Sequence, residues 1–243
     1  MGNIRDVYAV ILAGGAGTRI NSPTPKQFLL LGDAPVFVHG ARKLLADARV
    51  KQLWIGANGD WYDLARQQIE EFIPSARVNL CEGGADREAT LLNTLNAICE
   101  HNDIGPDDVV LIHDAVRPFV TERIIGDVIR EMERCDACNT VVPVNDTVVQ
   151  SADGKTISGM PARSELFAGQ SPQGFRLVTL MEAFRNLSPE ERQRLTETTK
   201  VCFMKNIAIH IVRGEFFNFK ITTPYDWHVA QSILEFTKGG QPI

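Results

Sequence analysis

The chain has 243 residues, of which 44% are hydrophobic and 23% are charged, and its formal net charge is −5 at pH 7. This composition suits one large folded domain or two small ones, and it excludes a disordered, collagen-like or disulfide-scaffold protein. The negative charge argues against broad binding of nucleic acid or of an anionic membrane surface, because such binding needs an excess of cations.

Short apolar runs and amphipathic helical stripes alternate along the first half of the chain. The apolar runs predict buried strands at residues 7–12, 52–57, 77–81 and 108–113. Helices are predicted at residues 35–45, at residues 61–72 and after Gly83-Gly84, where the apolar stripe is Leu91, Leu92, Leu95, Ile98 and Cys99. Thr121 can cap another helix, whose inward face is Ile124, Ile125, Val128, Ile129 and Met132.

The alternation breaks between residues 145 and 170. The short alternating piece Thr147-Val-Val-Gln150 and the turn signal Asp153-Gly154 predict a β-hairpin arm that projects from the sheet. Helices resume near Arg176, and Thr223-Pro-Tyr-Asp226 predicts the start of the last helix, with a cap, a proline and an acid at the expected spacing. The whole pattern predicts one α/β domain over residues 1–243, with a Rossmann-like, mostly parallel twisted sheet and helices on both faces.

The sequence also indicates the cellular location of the protein and the role of its cysteines. Residues 1–10 contain no long apolar run, and no later stretch approaches the roughly 18 apolar residues of a membrane span, so neither a signal peptide nor a membrane helix is expected. We expect a cytoplasmic protein. Cys135-Asp-Ala-Cys138 has no second cysteine pair, so the five cysteines are interpreted as buried thiols rather than as a metal or redox motif.

The first predicted strand leads directly into a glycine-rich segment, Leu12-Ala-Gly-Gly-Ala-Gly-Thr-Arg19, followed by Pro25-Lys26-Gln27. Three glycines among four residues let backbone N–H groups approach a phosphate chain closely. In a dinucleotide-binding fingerprint the third glycine would be Ile20, and the Gly-Lys-Ser/Thr sequence of a Walker P-loop does not occur in the chain. A tight turn with a surface arginine and lysine is the alternative without a ligand.

Five motifs occur in order along nearly the whole chain. They are the glycine-rich segment with Pro25-Lys26-Gln27, Gly83-Gly84-Ala85-Asp86-Arg87, His113-Asp114-Ala115-Val116-Arg117-Pro118-Phe119, Gly169-Gln170-Ser171-Pro172-Gln173, and Asn218-Phe219-Lys220-Ile221-Thr222-Thr223-Pro224. The set resembles the nucleotidyltransferases that activate sugars and polyols. It is most similar to the cytidylyltransferases that act on 2-C-methylerythritol 4-phosphate or on ribitol 5-phosphate. The resemblance implies the nucleotide-diphospho-sugar transferase type of fold.

The resemblance implies a CTP site at the glycine-rich segment. The residues implied for CTP binding are Leu12, Ala13, Gly14, Gly15, Gly17, Gly84, Arg87 and Thr90. The backbone of the two glycine turns would hold cytosine and ribose, with Arg87 and Thr90 at the base pocket. Arg19 and Lys26 are the implied catalytic residues, which would grip the triphosphate and stabilise charge on the α-phosphate.

The resemblance also implies a magnesium ion and a second substrate. Asp114 follows a strand at the edge where open sheets bind ligands, and a carboxylate beside a triphosphate suits Mg²⁺. Its alternative role is to cap the turn at Arg117. The residues implied for the polyol phosphate are Arg117, Thr147, Arg163 and Lys220. Thr147 and Arg163 lie on the arm, which in the family reaches into a partner subunit, so we expect a homodimer.

The implied reaction needs no covalent intermediate. A phosphate oxygen of the polyol phosphate attacks the α-phosphorus of CTP in line, and pyrophosphate leaves. Two polyanions must be brought together, so cations do most of the catalysis by positioning and by charge neutralisation. A phosphate that is already ionised needs no general base, so His113 is expected to be a packed core histidine.

Three features favour ribitol 5-phosphate as the acceptor: Leu12-Ala-Gly-Gly, Gly59-Asp60-Trp61, and Phe217-Asn218 before Lys220. The alternative acceptor is 2-C-methyl-D-erythritol 4-phosphate, and Thr196-Glu197-Thr198-Thr199 matches neither subgroup fully.

Two other classes of protein fit the sequence less well. Ile20 disfavours a Rossmann oxidoreductase, and a non-catalytic nucleotide-binding domain need not retain the cations Arg19, Lys26, Arg163 and Lys220 together.

Overall fold

The computed structural model describes residues 4–15 and 22–238. The strands are β1 (Val7–Ala13), β2 (Leu30–Leu31), β3 (Ala34–Pro35), β4 (Val50–Ala57), β5 (Val78–Glu82), β6 (Val109–Asp114), β7 (Ala137–Pro143), β8 (Phe167–Arg176) and β9 (Ile209–Arg213). The α-helices are α1 (Val36–Ala46), α2 (Tyr62–Phe72), α3 (Arg87–His101), α4 (Glu122–Glu131), α5 (Leu177–Arg185), α6 (Pro189–Gln193), α7 (Thr199–Met204) and α8 (Pro224–Lys238).

Seven strands of the described chain form one sheet in the order β5-β4-β1-β6-β8-β7-β9, and β2 pairs with β3 separately. β8 is antiparallel to its neighbours β6 and β7, whereas all other neighbours in this sheet pair in parallel. The predicted mostly parallel sheet is therefore confirmed. β1 lies between β4 and β6, so the glycine-rich segment leaves the sheet at its centre.

Two apolar cores cover the two faces of the sheet. Ile11 of β1 belongs to one core with Phe37 of α1, and Tyr8 of the same strand belongs to the other with Leu95 of α3. Because every residue of β1 is buried, both of its faces need a covering layer of helices. The predicted helices on both faces are confirmed.

Helix starts follow the capping signals in the sequence. Ile124 N donates to Thr121 Oγ1 at 3.2 Å at the start of α4. At α8, Asp226 N donates to Thr223 Oγ1 at 3.3 Å, and Thr223 N donates to Asp226 Oδ2 at 2.7 Å. This reciprocal pair satisfies backbone donors that the first helical turn leaves open, so α8 begins where the sequence predicts.

Within the large sheet, β7, β8 and β9 were not predicted, and neither was the separate pair β2 and β3. β8 has the sequence Phe167-Ala-Gly-Gln-Ser-Pro-Gln-Gly-Phe-Arg176, in which glycine, proline and polar residues are weak strand formers. Most of it is nevertheless buried, because it fills the position between β6 and β7. β9 lies at the sheet edge with three of its five residues exposed, and its sequence Ile-His-Ile-Val-Arg lacks the continuous apolar run that marks β1 and β6. Tertiary pairing overrides local propensity in both strands.

The predicted arm is less regular than a hairpin. Its strand pairing consists of one antiparallel bridge between Gln150 and Gly159, in which Gln150 N donates to Gly159 O at 2.8 Å. Gly154, in the predicted turn, has a φ of 68°, which glycine adopts without steric cost. Residues 167–170 belong to β8 instead, which shortens the arm from the predicted range. Isolated strand pairs are marginal in water, which accounts for the limited pairing.

The cysteine prediction is only partly right. All five cysteines are free thiols, but only Cys138 and Cys202 are buried, while Cys81, Cys99 and Cys135 are partly exposed. Burial of Cys202 raises its pKa to about 12.

Among the described helices, none combines the length and the apolar character that crossing a bilayer requires.

Candidate active site

Asp114, the last residue of β6, is surrounded by three cationic side chains. Its carboxylate lies 3.3 Å from Lys220 Nζ, 3.4 Å from Arg117 Nε and 3.6 Å from Arg87 Nη2. The backbone register places Asp114 beside Leu12 of β1, so the group lies at the carboxyl ends of the two central strands. Open α/β sheets bind their ligands at this edge.

The three cations keep Asp114 ionised. Burial alone would raise the pKa of this carboxyl, but Lys220, Arg87 and Arg117 together hold it well below its ordinary value. The carboxylate in turn fixes the directions in which the three cations point. The cluster therefore carries a net positive charge in a partly buried position, and it can attract an anion despite the negative charge of the whole chain.

Arg117 is fixed by a second set of contacts. Its Nη1 donates to Asn218 O at 2.8 Å, and its Nη2 donates to Gly169 O at 3.2 Å. The turn after β6 is closed by the backbone, because Arg117 N donates to the carbonyl of Asp114 at 3.1 Å. The carboxylate of Asp114 faces the cations instead, so the alternative in which it caps this turn is not favoured.

A buried chain of hydrogen bonds holds the backbone of Asp114 in place. Asp114 N donates to Ser171 Oγ at 3.1 Å, Ser171 Oγ lies 3.0 Å from His113 Nδ1, and His113 Nε2 lies 3.0 Å from the carbonyl of Arg117. A carbonyl only accepts, so Nε2 is assigned as the protonated nitrogen and Nδ1 accepts from Ser171. Burial lowers the pKa of His113 to about 4, which keeps it neutral. The prediction that His113 is a packed core histidine is confirmed.

The glycine-rich segment is held by a residue outside the predicted site set. Gln27 is buried, and its side-chain amide donates to the carbonyls of Ala13 and Gly15, each at 2.7 Å. With their carbonyls bound to Gln27, these residues have a defined backbone at the point where a phosphate chain is expected. The signal was available in the sequence, because Gln27 belongs to the Pro25-Lys26-Gln27 motif. Gly17 and Arg19 lie outside the described residues.

The second glycine turn is built around Thr90. Thr90 is completely buried, and its hydroxyl donates to Asp86 O at 2.7 Å and accepts from Gly84 N at 3.2 Å. The hydroxyl is therefore engaged within the turn, and Thr90 positions the backbone of Gly84. Arg87 was expected at the base pocket, but it contacts Asp114 and donates from Nη1 to Thr198 Oγ1 at 3.1 Å.

The close approach of Gly14 to Thr90 gives a stability prediction. A Cβ at Gly14 would lie 2.4 Å from Thr90 Oγ1, which two hydrogen bonds hold in place, so Gly14→Ala should destabilise the fold by about 1–3 kcal/mol. Gly15→Ala is the matched control, because no described atom lies within 4 Å of its Cβ, and it should change stability by less than about 0.5 kcal/mol. Urea unfolding measures both variants. Equal midpoints would contradict the prediction.

Lys26 contacts the backbone segment that also carries Lys220. It lies in the 3-10 turn Lys26–Phe28, and its Nζ is 3.4 Å from the carbonyl of Thr222, two residues after Lys220. The side chain is only 6% exposed. Lys26 is therefore not the surface lysine of the alternative without a ligand, because the turn packs it beneath the segment that precedes α8.

A cavity of about 150 Å³ surrounds Asp114 and its cations. Its lining residues are Arg87, Asp114, Arg117, Gly169, Gln170, Ser171, Gln173, Thr196, Glu197 and Lys220. Ser171 and Glu197 were missed as site residues. Ser171 lies inside a recognised motif, whereas Glu197 belongs to the segment that matches neither subgroup and had no sequence signal.

Two of the predicted polyol-binding residues lie elsewhere. Thr147 and Arg163 are exposed on the arm, and Arg163 Nη1 donates to Asn145 O at 2.9 Å. Over the described residues, the cavity around Asp114 is lined without either of them. The structure of one chain thus brings together Arg117 and Lys220 but not the two arm residues.

The donor set at Asp114 fits a magnesium ion that arrives with phosphates. Mg²⁺ usually takes one or two carboxylates and completes its shell with phosphate oxygens and water, and Asp114 supplies one ionised carboxylate. The three neighbouring cations would repel a bare dication. An ion already bound to a polyphosphate meets no such obstacle, because the phosphates attract the same cations.

Comparison with known proteins places the chain in a family. The family profile "IspD: 2-C-methyl-D-erythritol 4-phosphate cytidylyltransferase" matches residues 7–236. A ribitol-5-phosphate cytidylyltransferase of Lactiplantibacillus plantarum is 43% identical over 230 residues, which cover 94% of this chain and 98% of the relative. A protein of the same name from Streptococcus pneumoniae is 39% identical over 232 residues, covering 94% and 99%.

Solved structures agree on the fold. The 2-C-methyl-D-erythritol 4-phosphate cytidylyltransferase of Francisella tularensis superposes with a TM-score of 0.79 at 24% identity, covering 94% of this chain and 99% of that one. The 4-diphosphocytidyl-2C-methyl-D-erythritol synthase of Anaerococcus prevotii gives a TM-score of 0.79 at 21% identity, covering 95% and 99%. With a profile match over most of its length and relatives near 40% identity, the chain belongs to the IspD family of cytidylyltransferases.

Proposed function

We propose that this enzyme transfers CMP from CTP to D-ribitol 5-phosphate, forming CDP-ribitol and releasing pyrophosphate. The observation that carries the proposal is the convergence of Lys220, Arg87 and Arg117 on one carboxylate at the carboxyl ends of the central strands. A site of this charge suits the meeting of two phosphate-bearing substrates. The names of the relatives at 39–43% identity favour ribitol 5-phosphate over 2-C-methyl-D-erythritol 4-phosphate.

In the proposed reaction an ionised phosphate oxygen of ribitol 5-phosphate forms a bond to the α-phosphorus of CTP. The bond from that phosphorus to the bridging oxygen of the β-phosphate breaks, and the electron pair leaves with pyrophosphate. Lys26 and Arg19 hold the triphosphate, while Lys220 and Arg117 hold the acceptor phosphate. Their contribution is positioning and charge neutralisation, since the nucleophile needs no deprotonation.

We place the polyol chain in the cavity beside Glu197. Glu197 and Thr196 line this cavity and can accept hydrogen bonds from hydroxyl groups. A linear polyol with several hydroxyls can donate to both residues.

We propose that Mg²⁺ is required and that Asp114 is its protein ligand. When bound, the ion would neutralise charge on the triphosphate and on the departing pyrophosphate. Lys220, Arg87 and Arg117 would then turn from Asp114 toward phosphate oxygens.

We also propose a cytoplasmic location, because the nucleotide substrate is an intracellular metabolite.

A direct assay tests the proposed function. Pyrophosphate release is measured with CTP and either ribitol 5-phosphate or 2-C-methyl-D-erythritol 4-phosphate, and kcat/KM should be at least about tenfold higher with ribitol 5-phosphate, a difference of ~1.4 kcal/mol. A higher kcat/KM with 2-C-methyl-D-erythritol 4-phosphate would show that this compound, and not ribitol 5-phosphate, is the acceptor. Release with neither acceptor would favour a non-catalytic nucleotide-binding domain.

Nucleotide choice is tested in the same assay. Cytosine and uracil exchange donor and acceptor at neighbouring ring positions, so UTP would leave buried groups unpaired at about 1–3 kcal/mol each. We therefore expect kcat/KM with CTP to exceed that with UTP by at least ~100-fold. ATP and GTP serve as controls for size. Comparable turnover with UTP would contradict a cytosine-specific site.

We propose that two chains form a homodimer through the arms. Apolar side chains on and beside the arm are exposed in the single chain, namely Val149, Ile157, Met160 and Phe167. Exposed apolar groups of this kind mark interaction surfaces, and a twofold dimer is the commonest oligomer. Such pairing would bring Thr147 and Arg163 of one chain toward the acceptor site of its partner.

Mixed dimers test the shared site. Lys26→Met and Arg163→Ala chains should each be nearly inactive, but in a heterodimer one site carries both defects and the other neither. Random mixing with subunit exchange should then recover roughly a quarter of wild-type activity. Lys155→Ala, an exposed cation on the same arm, is the matched control and should be active by itself. Verified heterodimers without recovery would place Arg163 outside the partner's site.

A further inference from the structure

A second cluster of chemically active side chains lies far from Asp114. Glu131 ends α4, Cys135 follows it in the connecting loop, and His210 lies on β9. Their ligand atoms all lie within 4.8 Å of one another, and His210 Nδ1 is 2.7 Å from Glu131 Oε1. The proposed transfer reaction uses none of these residues, and Cys135 belongs to the Cys135-Asp-Ala-Cys138 motif that the active site leaves unexplained.

The sheet register brings these residues together. Cys138 of β7 pairs with His210 of β9, so their side chains share one face of the sheet. That face is covered by α4, because Cys138 Sγ lies 3.6 Å from Met132 Sδ just beyond the end of this helix. Cys135 Sγ donates to the carbonyl of Glu131 at 3.3 Å, which directs the thiol toward the helix end. The cluster is therefore a product of the fold and not of one loop.

The cluster lies at the opposite end of the sheet from the active site. β6 and β7 are both antiparallel to β8, so they run in the same direction. Asp114 ends β6, whereas Cys138 is the second residue of β7. Changes at the cluster can therefore be made without touching the cations around Asp114.

We propose that Glu131, Cys135 and His210 form a zinc-binding site with one position open to water. Thiolate sulfur, imidazole nitrogen and carboxylate oxygen are the ligands that zinc takes in proteins, at about 2.3, 2.0–2.1 and 2.0–2.2 Å. Tetrahedral geometry at these lengths puts the ligand atoms roughly 3.4–3.6 Å apart. Because all three atoms lie within 4.8 Å of one another, no pair would close by more than about 1.4 Å, and His210 Nδ1 and Glu131 Oε1, now 2.7 Å apart, would separate by about 0.7 Å.

Exposure and chemistry favour zinc over the alternatives. The His210 side chain is 44% exposed and that of Glu131 is 26% exposed, so an ion can enter and keep a water ligand. A disulfide between Cys135 and Cys138 would use neither His210 nor Glu131, and Cys138 is fully buried against α4. Magnesium and calcium prefer oxygen ligands, so the sulfur and nitrogen donors select a softer ion. Bound zinc would tie the edge strand β9 to the end of α4.

Cobalt(II) and zinc(II) titrations of the full-length reduced protein test the site. One equivalent of Co²⁺ should produce the visible bands of tetrahedral cobalt and a thiolate-to-cobalt charge-transfer band, and Zn²⁺ should abolish both. Cys135→Ser and His210→Ala should each weaken zinc binding by more than the ~10–100-fold loss seen when an outer partner of a ligand is removed. Cys99→Ser and His228→Ala change a partly exposed thiol and an exposed histidine elsewhere, and they should leave binding unchanged.

Thermal unfolding gives a second measurement. Zinc should raise the Tm of the wild-type protein and of both controls, because it binds only the folded site, and should leave the Tm of His210→Ala unchanged. His210 is exposed on an edge strand, so this variant should fold even if Cys135→Ser does not. Absence of cobalt bands, equal affinity in all variants, or a Cys135–Cys138 disulfide in place of metal binding would each overturn the proposal. Cytidylyltransferase activity in Cys135→Ser and His210→Ala should equal that of the wild type.

Discussion

Replacing Lys26 by methionine should lower kcat by ~10²–10³-fold while leaving the protein folded. Lys26 is buried beneath the segment that also carries Lys220, with its Nζ 3.4 Å from the carbonyl of Thr222, and we propose that it binds the triphosphate. In the transition state, negative charge accumulates on the oxygens of the departing pyrophosphate. A fixed cation therefore stabilises the transition state more than the bound substrate, which lowers the barrier. Methionine keeps most of the side-chain volume, which avoids the cavity that alanine would leave.

The measurement is kcat at saturating CTP and acceptor, with the melting temperature beside it. Lys43→Met is the matched control: Lys43 is an exposed lysine on α1 that pairs with Glu122, and its loss should leave kcat unchanged. Lys26→Arg should recover part of the lost rate because it restores the charge. If Lys26→Met retains kcat within about threefold at an unchanged Tm, the proposed role in transition-state stabilisation is wrong.

The sequence was most informative where burial is continuous. β1 and β6 are central parallel strands covered on both faces, so each is a run of apolar residues that periodicity identifies. β8 could not be found in this way, because Gly169, Pro172 and Gly174 disfavour an isolated strand. Its position depends on hydrogen bonds to β6 and β7, which are distant in sequence and carry no local signal.

The sequence predicted which residues form the candidate site better than it predicted the contacts between them. The motifs identified Asp114, Arg117 and Lys220, and the structure places all three in one cluster. The direction of Arg87 toward Asp114 and the burial of Thr90 were not predictable, because both depend on how the second glycine turn packs. The roles of Thr147 and Arg163 stay predictions, since they concern a second chain.

Asp114→Asn should reduce kcat by at least ~10²-fold at a fixed magnesium concentration and raise the magnesium concentration needed for half-maximal rate. Asparagine keeps the shape of the side chain and removes its charge. The turn after β6 should survive, because it is closed by the backbone carbonyl of residue 114. The variant therefore separates metal binding from a structural role in the turn.

Loss of the carboxylate also leaves its three cations without a counter-charge. Arg117, whose side chain is only 11% exposed, is affected most, and breaking a buried ion pair of this kind costs up to about 3–5 kcal/mol. The partly exposed Lys220 contributes less, because water screens it. Asp114→Asn should therefore unfold at lower urea concentration than the wild type, in addition to its catalytic defect.

A second substitution distinguishes the two effects. Lys220→Met removes one of the uncompensated cations, so Asp114→Asn with Lys220→Met should recover part of the lost stability, since residues in contact are not additive. Activity should not recover, because the double variant lacks both the proposed magnesium ligand and a cation for the acceptor phosphate. Equal activity of Asp114→Asn and wild type at equal magnesium, with only stability lowered, would assign Asp114 to holding the cations alone and remove it from the reaction.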